Sequence, residues 1–188
     1  TRTYNGISYT DNEFYCTTSA PVAANASNLN KAAIESSCEL TGSTYKCFDR
    51  YTMARRSLYQ VVNDPDLGDK VSLGISMFPL FGTTLVRRPI PLGWYKVDPT
   101  DSSKLVNCAS DATTGCTYGR NVLNGIIHTI AASMNNPSES KKVPVAMGYG
   151  LAAKTLLTNE NGGDLAGDQC SGYGIFSLTA GLPVQEEM

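Results

Sequence analysis

The sequence is short of charge, of histidine and of long apolar runs, and each shortage closes off a class of function. Asp, Glu, Lys and Arg make up 17% of the 188 residues, and 15 basic against 17 acidic side chains leave a net charge of −2. With no basic excess there is no electrostatic footprint for nucleic acid, whose phosphates must be neutralised by Lys and Arg. His128 is the single histidine, so a mixed Cys/His zinc set at the usual spacings cannot be completed. None of the six cysteines lies in a Cys-x-x-Cys pair, which leaves zinc ribbons, thioredoxin-type motifs and haem attachment without support. No apolar stretch reaches the ~18 residues of a membrane span. No targeting segment is visible, which reads as a mature or excised chain. Gly-x-Gly-x-x-Gly, P-loop and Gly-x-Ser-x-Gly patterns are all missing, so nucleotide binding and a nucleophile elbow have no motif to rest on.

What the chain does have is 41% hydrophobic residues, 17 Gly, 10 Tyr and six Cys. Abundant Thr, Ser and Asn complete the composition of a secreted or surface protein. A chain of this length folds as one domain and buries roughly 70% of its unfolded surface, enough for a core without a metal. The even cysteine count points to three disulfides and an oxidising compartment, extracellular or at the cell surface. Six cysteines admit 15 pairings. Local closure in Thr/Ser/Gly-rich sequence favours Cys38–Cys47 and Cys108–Cys116, and elimination leaves Cys16–Cys170.

Residues 1–47 read as a polar, irregular, cysteine-containing segment, with a turn at Asn5-Gly6 and a short helix near Leu29–Ile34. From residue 48 the pattern becomes α/β. FDRYTMARRSLYQVV places Tyr51, Ala54, Leu58, Val61 and Val62 on one helical face, with Arg50, Arg55 and Arg56 mostly opposite. Asn63-Asp64-Pro65 stops that helix. Val71, Leu73, Ile75 and Met77 then alternate with small residues as a strand. Residues 79–121 read as a long, Pro-rich, disulfide-stapled loop, with a possible strand edge at Thr83–Arg87. Val122, Ile126, Ile127, Ile130 and Met134 form a second helical stripe, with Asn121 as its cap. Pro144 opens a third helix, and 174–179 reads as a buried strand.

The order of these pieces resembles a von Willebrand factor A domain, more narrowly that of pilus-tip adhesins of the PilC/PilY type. Three stretches carry the resemblance: YTMARRSLYQVVNDPDLGDKVSLGISMF, NVLNGIIHTI followed by KVPVAMGYGLAAKTLL, and GIFSLTAGLPV. It covers roughly residues 48–188 and implies a Rossmann-like α/β sheet flanked by helices. That fold usually carries a divalent-ion site built from Asp-x-Ser-x-Ser, a Thr in a Thr-Pro-Leu turn and an Asp in Leu-Thr-Asp-Gly. Here the first motif does not occur, Val143 stands for the Thr and Ala180 for the Asp. Valine and alanine offer no oxygen ligand, so no cofactor is expected at that place. The family's first strand has no counterpart in Thr1–Thr10, and is expected upstream of Thr1 unless the sheet is built differently.

Other constellations are weaker. Asp64, Asp66 and Asp69 could present three carboxylates to calcium or magnesium, but Pro65 and the lack of a later Glu favour a solvated turn. Asn159, Asn161, Gly162, Asp164 and Asp168 have the character of a calcium loop but lack its closing Glu, the twelfth position being Cys170. Residues 167–172 have some of the character of a serine-protease nucleophile loop, without the histidine context. His128, between Ile127 and Thr129, reads as a satisfied or surface residue of its helix. Trp94 and Tyr95, with Arg87 and Arg88, lie in the long loop and form the candidate partner-binding residues.

The resemblance implies a non-enzymatic adhesion or protein-interaction module of a type IV pilus (fimbrium). Its partners would be a host or surface receptor, or pilus subunits. A pilin-like filament subunit is the alternative, and a secreted hydrolase a third reading.

Overall fold

The computed structural model describes residues 1–19, 37–69, 71–75, 89–102, 104–109, 115–133, 149–150, 152–153 and 174–176. Two long helices and ten short strands occur among them, and 149–150 and 152–153 are helical as well, within the helix expected from Pro144. Helix α1 spans Arg50–Val62. The strand-like backbone of Asp49 lets its Oδ1 accept the Thr52 amide at 2.7 Å, which satisfies one of the donors left over at a helix start. Its buried face is Thr52, Arg55, Tyr59 and Val62, at helical spacing. That differs from the expected face: Val61 is exposed and Arg55 is buried. The difference comes from the ion partner that Arg55 finds inside.

Helix α2 spans Gly119–Ser133 and buries Arg120, Leu123, Asn124 and Ile127. It begins two residues before the expected cap. The amides of Gly119 and Arg120 donate to the carbonyls of Gly93 and Leu92, at 2.9 and 3.2 Å. Asn121 therefore sits inside the helix, and its buried Oδ1 has no hydrogen-bond partner among the described residues. The close docking demands glycine at 119, since a Cβ there would lie 1.6 Å from the Pro91 carbonyl oxygen.

Four small sheets surround the helices, and every described strand pairing is antiparallel. β1 (Arg2–Tyr4) and β2 (Ile7–Tyr9) form a hairpin. Its turn is Asn5-Gly6, both at positive φ (48° and 79°), which matches the right-handed twist of the strands. β3 (Tyr15–Thr18), β5 (Thr44–Phe48) and β4 (Cys38–Thr41) make a three-stranded sheet with β5 in the centre. β6 (Ser72–Leu73) pairs with β7 (Ile90–Pro91). β8 (Trp94–Val97) is the centre of a third sheet, between β9 (Leu105–Asn107) and β10 (Thr117–Tyr118).

The mixture of helices and strands fits the α/β expectation at that coarse level. Two stretches differ from it. The N-terminal region is organised by β1 to β5 rather than irregular, and the stretch expected to be a long loop holds β7 to β10. Of the strand expected over 71–77, only Ser72–Leu73 pairs among the described residues. Of the strand expected over 174–179, the described part is 174–176. It forms no strand, and Phe176 is fully exposed at 101%. The expected helix at Leu29–Ile34, the strand edge at Thr83–Arg87, the start of the helix at Pro144, and Val143 and Ala180 lie outside the described residues.

The core forms where the helices cross. Tyr59 and Val62 of α1, Leu123 and Ile127 of α2, and Ile90 and Leu92 around β7 make one cluster, flanked by Tyr4, Leu58, Leu73, Tyr95 and Ile126. A reciprocal amide pair seals the crossing: Asn63 Nδ2 donates to Asn124 Oδ1 at 2.8 Å, and Asn124 Nδ2 donates back to Asn63 Oδ1 at 3.1 Å. Full burial of Asn124 is tolerated because its polar atoms are paired there. No helix among the described residues is long and apolar enough to cross a membrane.

Candidate functional site

A buried polar constellation lies where the segment after β2 meets both helices. The Asp11 side chain is only 6% exposed, and two groups face its carboxylate. Arg55 Nε of α1, equally buried, is 3.6 Å from Oδ2, and His128 Nδ1 of α2 is 2.6 Å from Oδ1. A buried carboxylate persists only when paired, and this one is paired across 117 residues of sequence. Arg55 Nη2 also donates to the Asn12 carbonyl at 2.8 Å, so the guanidinium fixes the backbone beside the carboxylate.

Tyrosines wall the site. Tyr4 stacks on Tyr59 with centroids 5.0 Å apart, and Tyr9 lies 5.7 Å from the His128 ring. The Tyr9 hydroxyl donates to the Asn121 carbonyl at 3.3 Å. The Tyr59 hydroxyl is buried near the Asp11 carboxylate without a well-formed hydrogen bond. Burial first, and the Asp11 charge second, push this phenol well above its ordinary value.

With Nδ1 committed to Asp11, His128 keeps Nε2 as its second nitrogen, on a side chain 44% exposed. An Asp-oriented imidazole is half of a general-base arrangement. The other half, a nucleophile bonded to the ring, does not occur among the described residues. The constellation does act as a clamp: one carboxylate ties the N-terminal segment to α1 and α2 together.

A second network starts from the next residue of α1, about 100° around the helix from Arg55. Arg56 donates to Glu13 through both Nε (2.9 Å) and Nη2 (2.8 Å), and through Nη1 to Glu39 of β4 at 2.5 Å. Arg2 Nη2 adds a contact to Glu13 at 3.2 Å. The guanidinium also covers the Phe48 ring at 3.6 Å. The Arg56 hydrogen bonds hold the Glu13 carboxyl down at about 2, against an opposing effect of burial.

The expected site residues fall as follows. Asp64, Asp66 and Asp69 do not converge on a metal centre, and no group of three or more His, Cys, Asp or Glu among the described residues does. Asp64 Oδ1 instead accepts the Asp66 amide at 2.8 Å. Arg120 lies against this turn: its Nη1 donates to the carbonyls of Val62 (2.6 Å) and Asp64 (2.9 Å), its Nη2 donates to that of Leu67 (2.5 Å), and Nη2 stands 3.9 Å from Asp69 Oδ1. An open cleft of about 360 Å³ adjoins it, lined by Tyr4, Asn5, Asp69, Tyr118 and Arg120 among others. Trp94 packs on Tyr118 with centroids 5.2 Å apart, and Tyr95 packs against the core cluster, so both rings are half-buried. Arg87, Arg88 and the polar run over 159–168 lie outside the described residues.

Cys38–Cys47 and Cys108–Cys116 are both disulfide-bonded, as local closure predicted. The first ties β4 to β5, and the second joins the segment after β9 to the start of β10. Cys16 is exposed and has no disulfide partner among the described residues, while Cys170 lies outside them.

Asp11, Arg55 and Tyr59 escaped sequence reasoning. Asp11 stands in a polar run with no periodicity, and Arg55 carries no mark that separates it from Arg56. No family model, curated protein or solved structure matches the chain.

Proposed function

We propose that this chain is an extracellular, non-enzymatic protein-interaction module. In this reading it is an adhesion module of a type IV pilus, on the von Willebrand factor A-like plan that three stretches of its sequence resemble. The observation that carries the reading is the pair of short-range disulfides, each stapling a small sheet. Such staples suit a surface-presenting module in an oxidising compartment. Phe14, Tyr15 and Leu40 stand exposed on or beside the first of these sheets, and Val97 on the second. Exposed apolar side chains on a covalently held scaffold are the raw material of a partner surface. His128 fits this reading as part of a clamp.

The test is retention of beads that carry the oxidised chain on epithelial monolayers, against beads that carry albumin. Retention several-fold above albumin is the expected result. Retention equal to albumin, together with concentration-dependent growth of the chain on size-exclusion chromatography, would replace adhesion with the filament-subunit reading.

A further inference from the structure

Three of the six cysteines share one rung of the β3–β5–β4 sheet. In the antiparallel register, Cys47 of β5 stands opposite Cys16 of β3 on one side and Cys38 of β4 on the other. Residues directly opposite in antiparallel strands point to the same face, with Cα atoms ~4.5–5.5 Å apart. A disulfide accepts Cα separations of ~4.4–6.8 Å. Either neighbour of Cys47 is therefore placed to bond it, and the sheet needs no change of register to accommodate one pairing or the other. The structure holds Cys38–Cys47 and leaves Cys16 exposed, with no disulfide partner among the described residues.

We propose that this rung is a thiol–disulfide exchange site with Cys16 as its nucleophile. The Cys16 thiolate attacks Cys47 Sγ. A Cys16–Cys47 bond forms as the Cys38–Cys47 bond breaks, and Cys38 leaves as the thiolate and takes up the proton that Cys16 gave up. One disulfide and one thiol exist before and after, so no external oxidant or reductant enters. The exchange moves the covalent tie of β5 from one edge strand to the other, and moves the free thiol from β3 to β4. It also gives a role to Cys16, which is exposed and has no disulfide partner among the described residues of an otherwise stapled sheet.

The three thiols are separable by trypsin, which cuts after Arg2, Lys31, Lys46 and Arg50 and so places Cys16, Cys38 and Cys47 on peptides 3–31, 32–46 and 47–50. Full-length chain and its Cys170→Ser variant are held at pH 8 without oxidant, quenched with iodoacetamide, digested and mapped by mass spectrometry. We expect peptide 47–50 linked to 32–46 and, in a second population, to 3–31, with alkylation divided between Cys16 and Cys38. In oxidised Cys38→Ser we expect a Cys16–Cys47 disulfide and a far-UV circular dichroism spectrum like that of the parent. Cys38–Cys47 as the sole linkage, with Cys16 fully alkylated at every time, would overturn the proposal. So would a wild-type chain in which all Cys16 is bonded to Cys170, or a Cys38→Ser chain whose Cys16 and Cys47 both alkylate.

Discussion

Removing the Arg120 guanidinium should open the join between the two helices. Its two terminal nitrogens donate to three carbonyls, those of Val62, Asp64 and Leu67, at the end of α1 and in the turn beyond it. These are the groups a helix C-terminus leaves without partners. In Arg120→Ala the Val62 carbonyl stays buried and loses its donor, at a cost of ~1–3 kcal/mol. The Asp64 and Leu67 carbonyls are partly exposed and can turn to water, so each forfeits about 1 kcal/mol of net hydrogen-bond energy. With ~1–2 kcal/mol for the Val62 carbonyl, the lower half of that range, the whole effect is about 3–4 kcal/mol. Urea unfolding with disulfides intact reads it well, because Trp94, the only tryptophan, packs on Tyr118 one residue before α2 begins. With a urea slope of ~2 kcal/mol/M the midpoint should fall by about 1.5–2 M. Arg120→Lys keeps the charge but replaces the planar fork with a single ammonium, so it should recover at most half of the loss. A midpoint for Arg120→Ala within 0.3 M of the parent, on the order of the extrapolation error, would refute the assignment of Arg120 as the tie between α1 and α2.

The remaining predictions follow from the same contacts. Asp11→Ala strands a buried Arg55 and should lower stability by about 3 kcal/mol or more in thermal unfolding. His128→Ala, which removes a ring 44% exposed, should cost less than half as much. The Glu13 carboxyl is depressed to about 2 by Arg56, so its contribution is complete above the unfolded value near 4.5 and is lost as pH falls from there towards 2. Solvent screening at this partly open site limits the effect to about 1 kcal/mol, and Glu13→Gln should flatten the stability profile between pH 5 and 2, measured by urea titration at each pH. Gly119→Ala drives a Cβ against the Pro91 carbonyl and should prevent native docking of α2, whereas Gly125→Ala meets nothing within 4 Å. The second variant should be stabilised by up to about 1 kcal/mol through helix propensity, and circular dichroism melts of the two separate the cases.

The helices were legible in the sequence because their signals are local. The apolar repeat over 48–62 and Asn63-Asp64-Pro65 after it bound α1 to within two residues, while the Asp49 cap emerged only in the structure. The Asn5-Gly6 hairpin turn was legible for the same reason. The β3–β5–β4 sheet was not, since Tyr15-Cys16-Thr17-Thr18 shows no alternation of apolar and polar residues. Its stability comes from pairing, a disulfide and the cover of Arg56 over Phe48. β8 and β9 were hidden by the prolines around them, which read as loop sequence although the intervening residues are free to pair. The buried face of α1 was misjudged at Arg55, because burial of a cation depends on a carboxylate 44 residues away that no helical periodicity reveals. Within the candidate site, His128 was visible as the lone histidine, but Asp11 gave it meaning only after folding.

In the proposed reading, the stapled sheets present a surface for partners. Retention of chain-coated beads on epithelial monolayers should therefore be measured before and after reduction of the Cys38–Cys47 and Cys108–Cys116 disulfides, with alkylation to prevent their return. We predict strong retention of the oxidised chain and loss of most of it on reduction. Equal retention in both states would contradict the claim that the staples hold the binding surface.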